Sequence, residues 1–134
     1  MTSPTLGALG LVYDTGALIA AERNDRRMWA IHARALQRGA RPLVPAGCVV
    51  EAWRGGRHAN LARLLSGCEI ETLTADRARR AGMLRRGVAA DAGPIDATVT
   101  ETAIRQRAAV VTADRGDIEQ LARSARRRIS IIDV

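Results

Sequence analysis

The architecture of this chain first declares itself in LVYDTGALIA, residues 11–20. Leu11, Val12 and Tyr13 are an apolar run of strand length, and Asp14, Thr15 and Gly16 lead straight into a helical sequence. A carboxylate at the mouth of a core strand is costly unless something compensates it. The pattern of apolar run, acid and helix returns in AAVVTADRGDIEQLA, residues 108–122, where Asp114 follows the run.

Strand and helix signals alternate along the rest of the chain. Strands are expected at Leu9–Tyr13, Pro42–Val44, Glu69–Leu73, Ala109–Val111 and Ile129–Ile132. Helices are expected at Thr15–Ala21, Asp25–Arg38, Ala46–Trp53, Ala59–Leu65, Thr74–Arg86, Pro94–Arg107 and Asp117–Ser124. Met28, Ile31, Ala35 and Leu36 share one face of the second helix, Gly39 suits its end, Thr74 can cap the fifth, and Pro94 suits a first turn. Strands separated by helices predict a parallel sheet covered on both faces. Residues 1–8 read as a short leader and 9–134 as a single domain, with no repeat or linker.

Composition narrows the function. With 134 residues and 47% hydrophobic content the chain can bury a real core, and no apolar run approaches a membrane span. No signal peptide is visible, so a soluble cytoplasmic protein is expected. Cys48 and Cys68, with His32 and His58, lack zinc-site spacing, and both cysteines read as core residues. The net charge is +7 and every basic residue is arginine, which favours a polyanionic partner. Without lysine there is no Walker A loop, nor the phosphate-holding lysine of receiver domains and haloacid-type phosphatases. Aromatic residues make up 2%, which argues against the stacking sheet of an OB-fold or RRM. Arg126–Arg128 reads as a solvated turn, and Glu22 and Asp25, after the first helix, as solvated.

In an open α/β sheet, sites form beyond the carboxyl ends of the strands, where strand order reverses. Asp14 and Asp114 follow apolar strands. Glu51 lies in VPAGCVVEAWR, on a helix expected to be mostly buried, and Asp96 lies in the first helical turn of GPIDATVTETA. Singly, each acid is explained by capping or the helix dipole. Together they make one acidic pocket in a basic protein, and such a cluster repels itself unless a cation sits in it. Oxygen-only ligands select Mg²⁺ or Mn²⁺, ions suited to phosphodiester hydrolysis.

On these residues the sequence resembles the PIN-domain ribonucleases, specifically the VapC-type toxins of bacterial toxin–antitoxin pairs, over roughly residues 9–134. LVYDTGALIA, VVEAWRGG, IDATVTETA and VVTADRGDIEQLA resemble the family's four motifs in order. The resemblance implies a five-stranded parallel sheet of order 3-2-1-4-5 flanked by helices. It implies a metal-dependent endoribonuclease, a homodimer, and a cognate antitoxin whose C-terminal segment covers the acidic groove. Carried over, Asp14, Glu51, Asp96 and Asp114 resemble the acidic quartet that binds Mg²⁺ or Mn²⁺. Asp117 matches a further acid that binds a second metal or caps its helix. Thr112 takes the place of the hydroxyl near the phosphate, Thr15 that of the hydroxyl after the first acid, and Arg54 is a candidate for RNA contact. Ala113 departs from the family's usual serine.

Overall fold

Strands and helices alternate from end to end in the computed structural model, which describes residues 10–88 and 92–134. The elements are β1 (Leu11–Tyr13), α1 (Thr15–Glu22), α2 (Arg26–Gln37), β2 (Leu43–Pro45), α3 (Ala46–Ala52), α4 (Ala59–Ser66), β3 (Glu69–Glu71), α5 (Ala75–Leu84), α6 (Pro94–Gln106), β4 (Ala109–Thr112), α7 (Arg115–Ser124) and β5 (Ile131–Asp133). The expected leader and Leu9 lie outside the described residues. The strands form one parallel sheet in the order β3-β2-β1-β4-β5, the order that the resemblance implied. No helix among the described residues is long and apolar enough to cross a membrane.

The central strands are the most apolar because both their faces are covered. Every residue of β1 and β4 is buried, and they pair in register as Leu11↔Ala109, Val12↔Val110 and Tyr13↔Val111. The edge strand β3 instead exposes Glu69 and Ile70. Val12, Leu18, Met28, Val44, Leu61, Leu64, Val99, Val110 and Ile118 pack the core, and truncating one such side chain to alanine costs about 2–5 kcal/mol. Tyr13 is fully buried, and its hydroxyl shares a 2.9 Å hydrogen bond with His32 Nδ1. Burial, with help from the Arg63 charge, holds His32 below its ordinary pKa. Cys48 and Cys68 are free and buried.

The helix starts follow side-chain caps. Asp25 accepts from Met28 N at 2.8 Å to open α2, and Thr74 accepts from Arg77 N at 3.2 Å to open α5. Four expectations are corrected. The last helix begins at Arg115 rather than Asp117, because Asp114 occupies its N-cap position. Leu36 turns outward and His32 takes the inner position on α2. Helix α3 buries only Cys48 and Ala52, and leaves Val50 and Glu51 exposed. Glu22 is half-buried and engaged, accepting from Leu61 N at 2.7 Å on α4.

Candidate acidic active site

Two strand ends build the site. β1 runs between β2 and β4, so the sheet order reverses beside it, and the chain leaving β1 and the chain leaving β4 diverge over the same crevice. Asp14 leaves β1 and extends the ladder by one residue, its N–H donating to Val111 O at 3.2 Å. Its side chain then caps α1, with Oδ1 accepting from Ala17 N at 2.9 Å. Asp114 leaves β4 into the N-cap position of α7, yet its side chain makes no capping bond. Instead its backbone N–H donates to Thr112 Oγ1 at 2.8 Å. Asp14 is thus committed to the fold in part, whereas the Asp114 carboxylate is not used as a cap.

Gly16 sets the spacing between these two ends. A Cβ there would stand 2.7 Å from Ala113 Cβ, 3.1 Å from Ala113 N and 3.3 Å from Asp14 Oδ1. Only a residue without a side chain lets α1 lie this close to the β4–α7 turn. Ala113, where the resemblance led to serine, is the small partner in that contact.

The carboxylates act on one another. Asp14 is 4% exposed, and its pKa is raised above the ordinary aspartate value by burial, which outweighs hydrogen bonds from Thr112 and the Ala17 and Gly16 backbone; the Asp114 charge raises it further. Asp96, in the first turn of α6 behind Gly93–Pro94, is pushed up to about 6. Burial is the largest cause, followed by the charges of Asp117, Asp14, Asp114 and Glu51. Asp96 is therefore the focus on which the other four acids converge. Glu51 is exposed and steadied from α1, its Oε1 accepting from Thr15 Oγ1 at 2.7 Å. Beneath them, the Cys48 thiol is pushed up to about 12 by burial first, and also by Asp14, Glu51 and Asp96.

Thr112 is fully buried and engages both the Asp14 side chain and the Asp114 backbone N–H. Arg54 is exposed beyond the end of α3, and no hydrogen bond or ion pair joins its side chain to the acids among the described residues. Sequence reasoning missed a second set of acids nearby in the chain. Glu101, in the same motif as Asp96, and Glu71 of β3 both bind Arg105, Glu101 through Nε at 3.0 Å. The i,i+4 spacing of Glu101 and Arg105 was the signal that marked it.

Among the described residues, no three His, Cys, Asp or Glu side chains are already grouped to hold a metal ion. Ligation thus requires Asp and Glu rotamers to turn inward from a set that is mutually repulsive as it stands. The donor set fits a hard divalent cation: all its donors are carboxylate oxygens, and the leading charges acting on Asp96 are other carboxylates.

Known proteins share this fold. A family model described as "PIN domain" matches residues 11–124. A DNA-bound VapBC from Salmonella typhimurium is similar at 21% identity and a TM-score of 0.68, over 93% of this chain and 98% of that chain. VapBC2 from Rickettsia felis, bound to a DNA fragment from its promoter, is similar at 15% identity and a TM-score of 0.68, over 92% of this chain and 98% of that chain. At these identities the likeness shows the fold. No curated protein matches the chain.

Proposed function

The chain belongs to the PIN-domain family, and from that premise we propose that it is a metal-dependent endoribonuclease, a VapC-type toxin neutralised by a cognate antitoxin. One observation carries the reading. Four other carboxylates converge on Asp96 at the switch point of the sheet, in a protein whose net charge is +7. The arginines draw a polyanionic strand in, and the acids await a cation at the point of arrival. Similarity to VapBC assemblies supports an antitoxin partner, and the family resemblance supports a cytoplasmic homodimer.

Asp14, Asp96 and Asp114 would hold Mg²⁺ or Mn²⁺, with Glu51 and Asp117 at the margin. When bound, such an ion neutralises phosphate charge and makes hydroxide available at neutral pH. The remaining roles belong to the chain itself. Thr112 fixes Asp14 and the backbone of Asp114 from beneath. Thr15 holds the Glu51 carboxylate toward α1. Gly16 keeps the two strand ends close enough to act together.

The test is cleavage of labelled RNA and DNA by the purified chain, first in chelator and then across a titration of Mg²⁺ and Mn²⁺. RNA cut only with metal, and protected when a cognate antitoxin is co-expressed, is the expected result. RNA left intact at every metal concentration contradicts the nuclease reading, and DNA cut in preference to RNA contradicts its substrate.

A further inference from the structure

The chain's three aromatic residues are placed very differently. Tyr13 is fully buried; Trp29 is half-buried, its indole N–H donates to Ala21 O at 3.0 Å, and the Arg63 guanidinium lies 4.1 Å over its ring. Trp53 is 42% exposed, at the end of α3 two residues beyond Glu51. Its ring is backed by His58, with centroids 5.0 Å apart and planes tilted by 41°.

The backing is itself held in place. His58 Nε2 accepts from the Arg54 backbone N–H at 3.1 Å, so a neutral His58 carries its proton on Nδ1. That Nδ1 lies 3.8 Å from Glu22 Oε1. Glu22 is anchored in turn, its Oε2 by Leu61 N at 2.7 Å and its carbonyl by Asn60 Nδ2 at 3.1 Å. Between Trp53 and His58 the chain doubles back through Gly55 and Gly56, with φ of +82° and +81°, and exposes Arg54 and Arg57 on either side of them. An exposed indole backed by an imidazole, with two exposed arginines in the same short turn, suits a base and its flanking phosphates.

The position also fits the acidic site. The Thr15–Glu51 bond ties α3 to the first residue of α1, and His58 in the α3–α4 turn lies beside Glu22, the last residue of α1. The eight residues of α1 separate those two anchor points by about 10 Å, a span that one or two nucleotides of extended strand bridge.

We propose that Trp53, backed by His58 and flanked by Arg54 and Arg57, is a stacking platform for one unpaired nucleobase of an RNA strand whose phosphodiester lies at the acidic cluster. The proposal rests on the nuclease reading for its substrate. It calls for one indole, not the aromatic sheet that the composition argues against. Val50, 77% exposed one turn earlier, extends the apolar face only slightly before the arginines begin, which favours a nucleotide over a protein partner.

The test measures binding apart from cutting. An Asp96→Asn protein in chelator is titrated with a labelled single-stranded oligoribonucleotide, followed by anisotropy. Adding Trp53→Ala is expected to weaken binding about tenfold, and Trp53→Phe to retain most of it. One abasic position in the oligonucleotide should cost the same factor against the Trp53 protein and nothing more against Trp53→Ala. If Trp53→Ala does not fold, as its melting curve will tell, the abasic scan on the Trp53 protein carries the test. Equal binding with and without Trp53, or a flat abasic scan, overturns the platform. So does a Trp53→Ala protein that binds RNA normally but no longer captures its antitoxin. RNA bound through Trp53 but uncut by the metal-loaded parent upholds the platform and overturns only the nuclease reading.

Discussion

Two groups of acids lie in this molecule under opposite electrostatic regimes. Glu71 and Glu101 share Arg105; Thr102 donates to Glu71 at 3.0 Å, and Arg77 stands 4.0 Å away. Burial pushes Glu71 upward, but hydrogen bonds from Arg105 and Thr102 and the charges of Arg105 and Arg77 outweigh it, leaving its carboxyl below the usual value. Asp96 is also pushed upward by burial, but there the leading neighbours add to the push, to about 6. A buried acid with its own guanidinium is part of the fold. A buried acid among other acids is stabilised by a cation, and the proposed metal-dependent activity rests on the second kind.

The largest expected effect separates the two groups by activity. Asp14→Asn and Asp96→Asn should each lower metal-dependent RNA cleavage at least about a hundredfold, since removing a ligand costs more than removing its supporting partner. Glu71→Gln should keep cleavage while losing stability. Cleavage rates of the folded variants check this, and near wild-type rates in either aspartate variant would show that the acids are not the catalytic centre.

Arg105→Ala probes the neutralised group. Glu71 and Glu101 are left facing each other, and about 2 kcal/mol of stability should go, less than for a fully buried pair because Arg105 is partly exposed. Glu71 titrates below its ordinary value in the folded state, so its contribution is complete above about pH 4.5 and is lost as the pH falls through the lowered value. Urea midpoints of the variant should show a smaller acid-side loss than those of wild type. Unchanged stability would mean that the network does not hold β3 to α6.

Gly16→Ala should cost about 1.5 kcal/mol, because its Cβ meets Ala113 Cβ at 2.7 Å and α1 must shift. Cleavage should fall further than the stability loss explains, as Asp14 and Asp114 move apart. A variant that melts lower but cuts normally would show that the close approach serves packing alone.

The sheet was legible because its central strands are apolar throughout and each ends on an acid, so Leu11–Tyr13 and Ala109–Thr112 announce both the strand and its carboxyl end. Thr74 and Pro94 marked helix starts through their own chemistry. Asp14 and Asp114 stood out for the same reason, whereas Glu51 and Asp96, on helices, were drawn into the set by their motifs. What was not legible depended on distant packing. The outward turn of Val50 and Glu51 on α3 follows from how that short helix meets α1, which local periodicity does not record. The engagement of Glu22 depends on α4, 39 residues away in the chain. The full burial of Thr112 likewise depends on packing that its motif does not record.

The smallest effect tests the contrast between the two groups most directly. Asp96 titrates near 6 in the folded protein against an ordinary 3.8, so the folded state holds the extra proton between those values. Metal-free stability should therefore decline as the pH rises through that window, opposite in sign to the Glu71 contribution. The measurement is the melting midpoint of wild type and Asp96→Asn at neutral pH, in chelator and in Mg²⁺ or Mn²⁺. In chelator the variant should be more stable by about 1 kcal/mol, the relief of one repelled charge after allowance for solvent screening. Added metal should raise wild type more than the variant, since binding to the native state stabilises it by mass action. A variant less stable in chelator, beside a wild type indifferent to metal, would mean that Asp96 only serves its helix dipole and that these acids form no metal site.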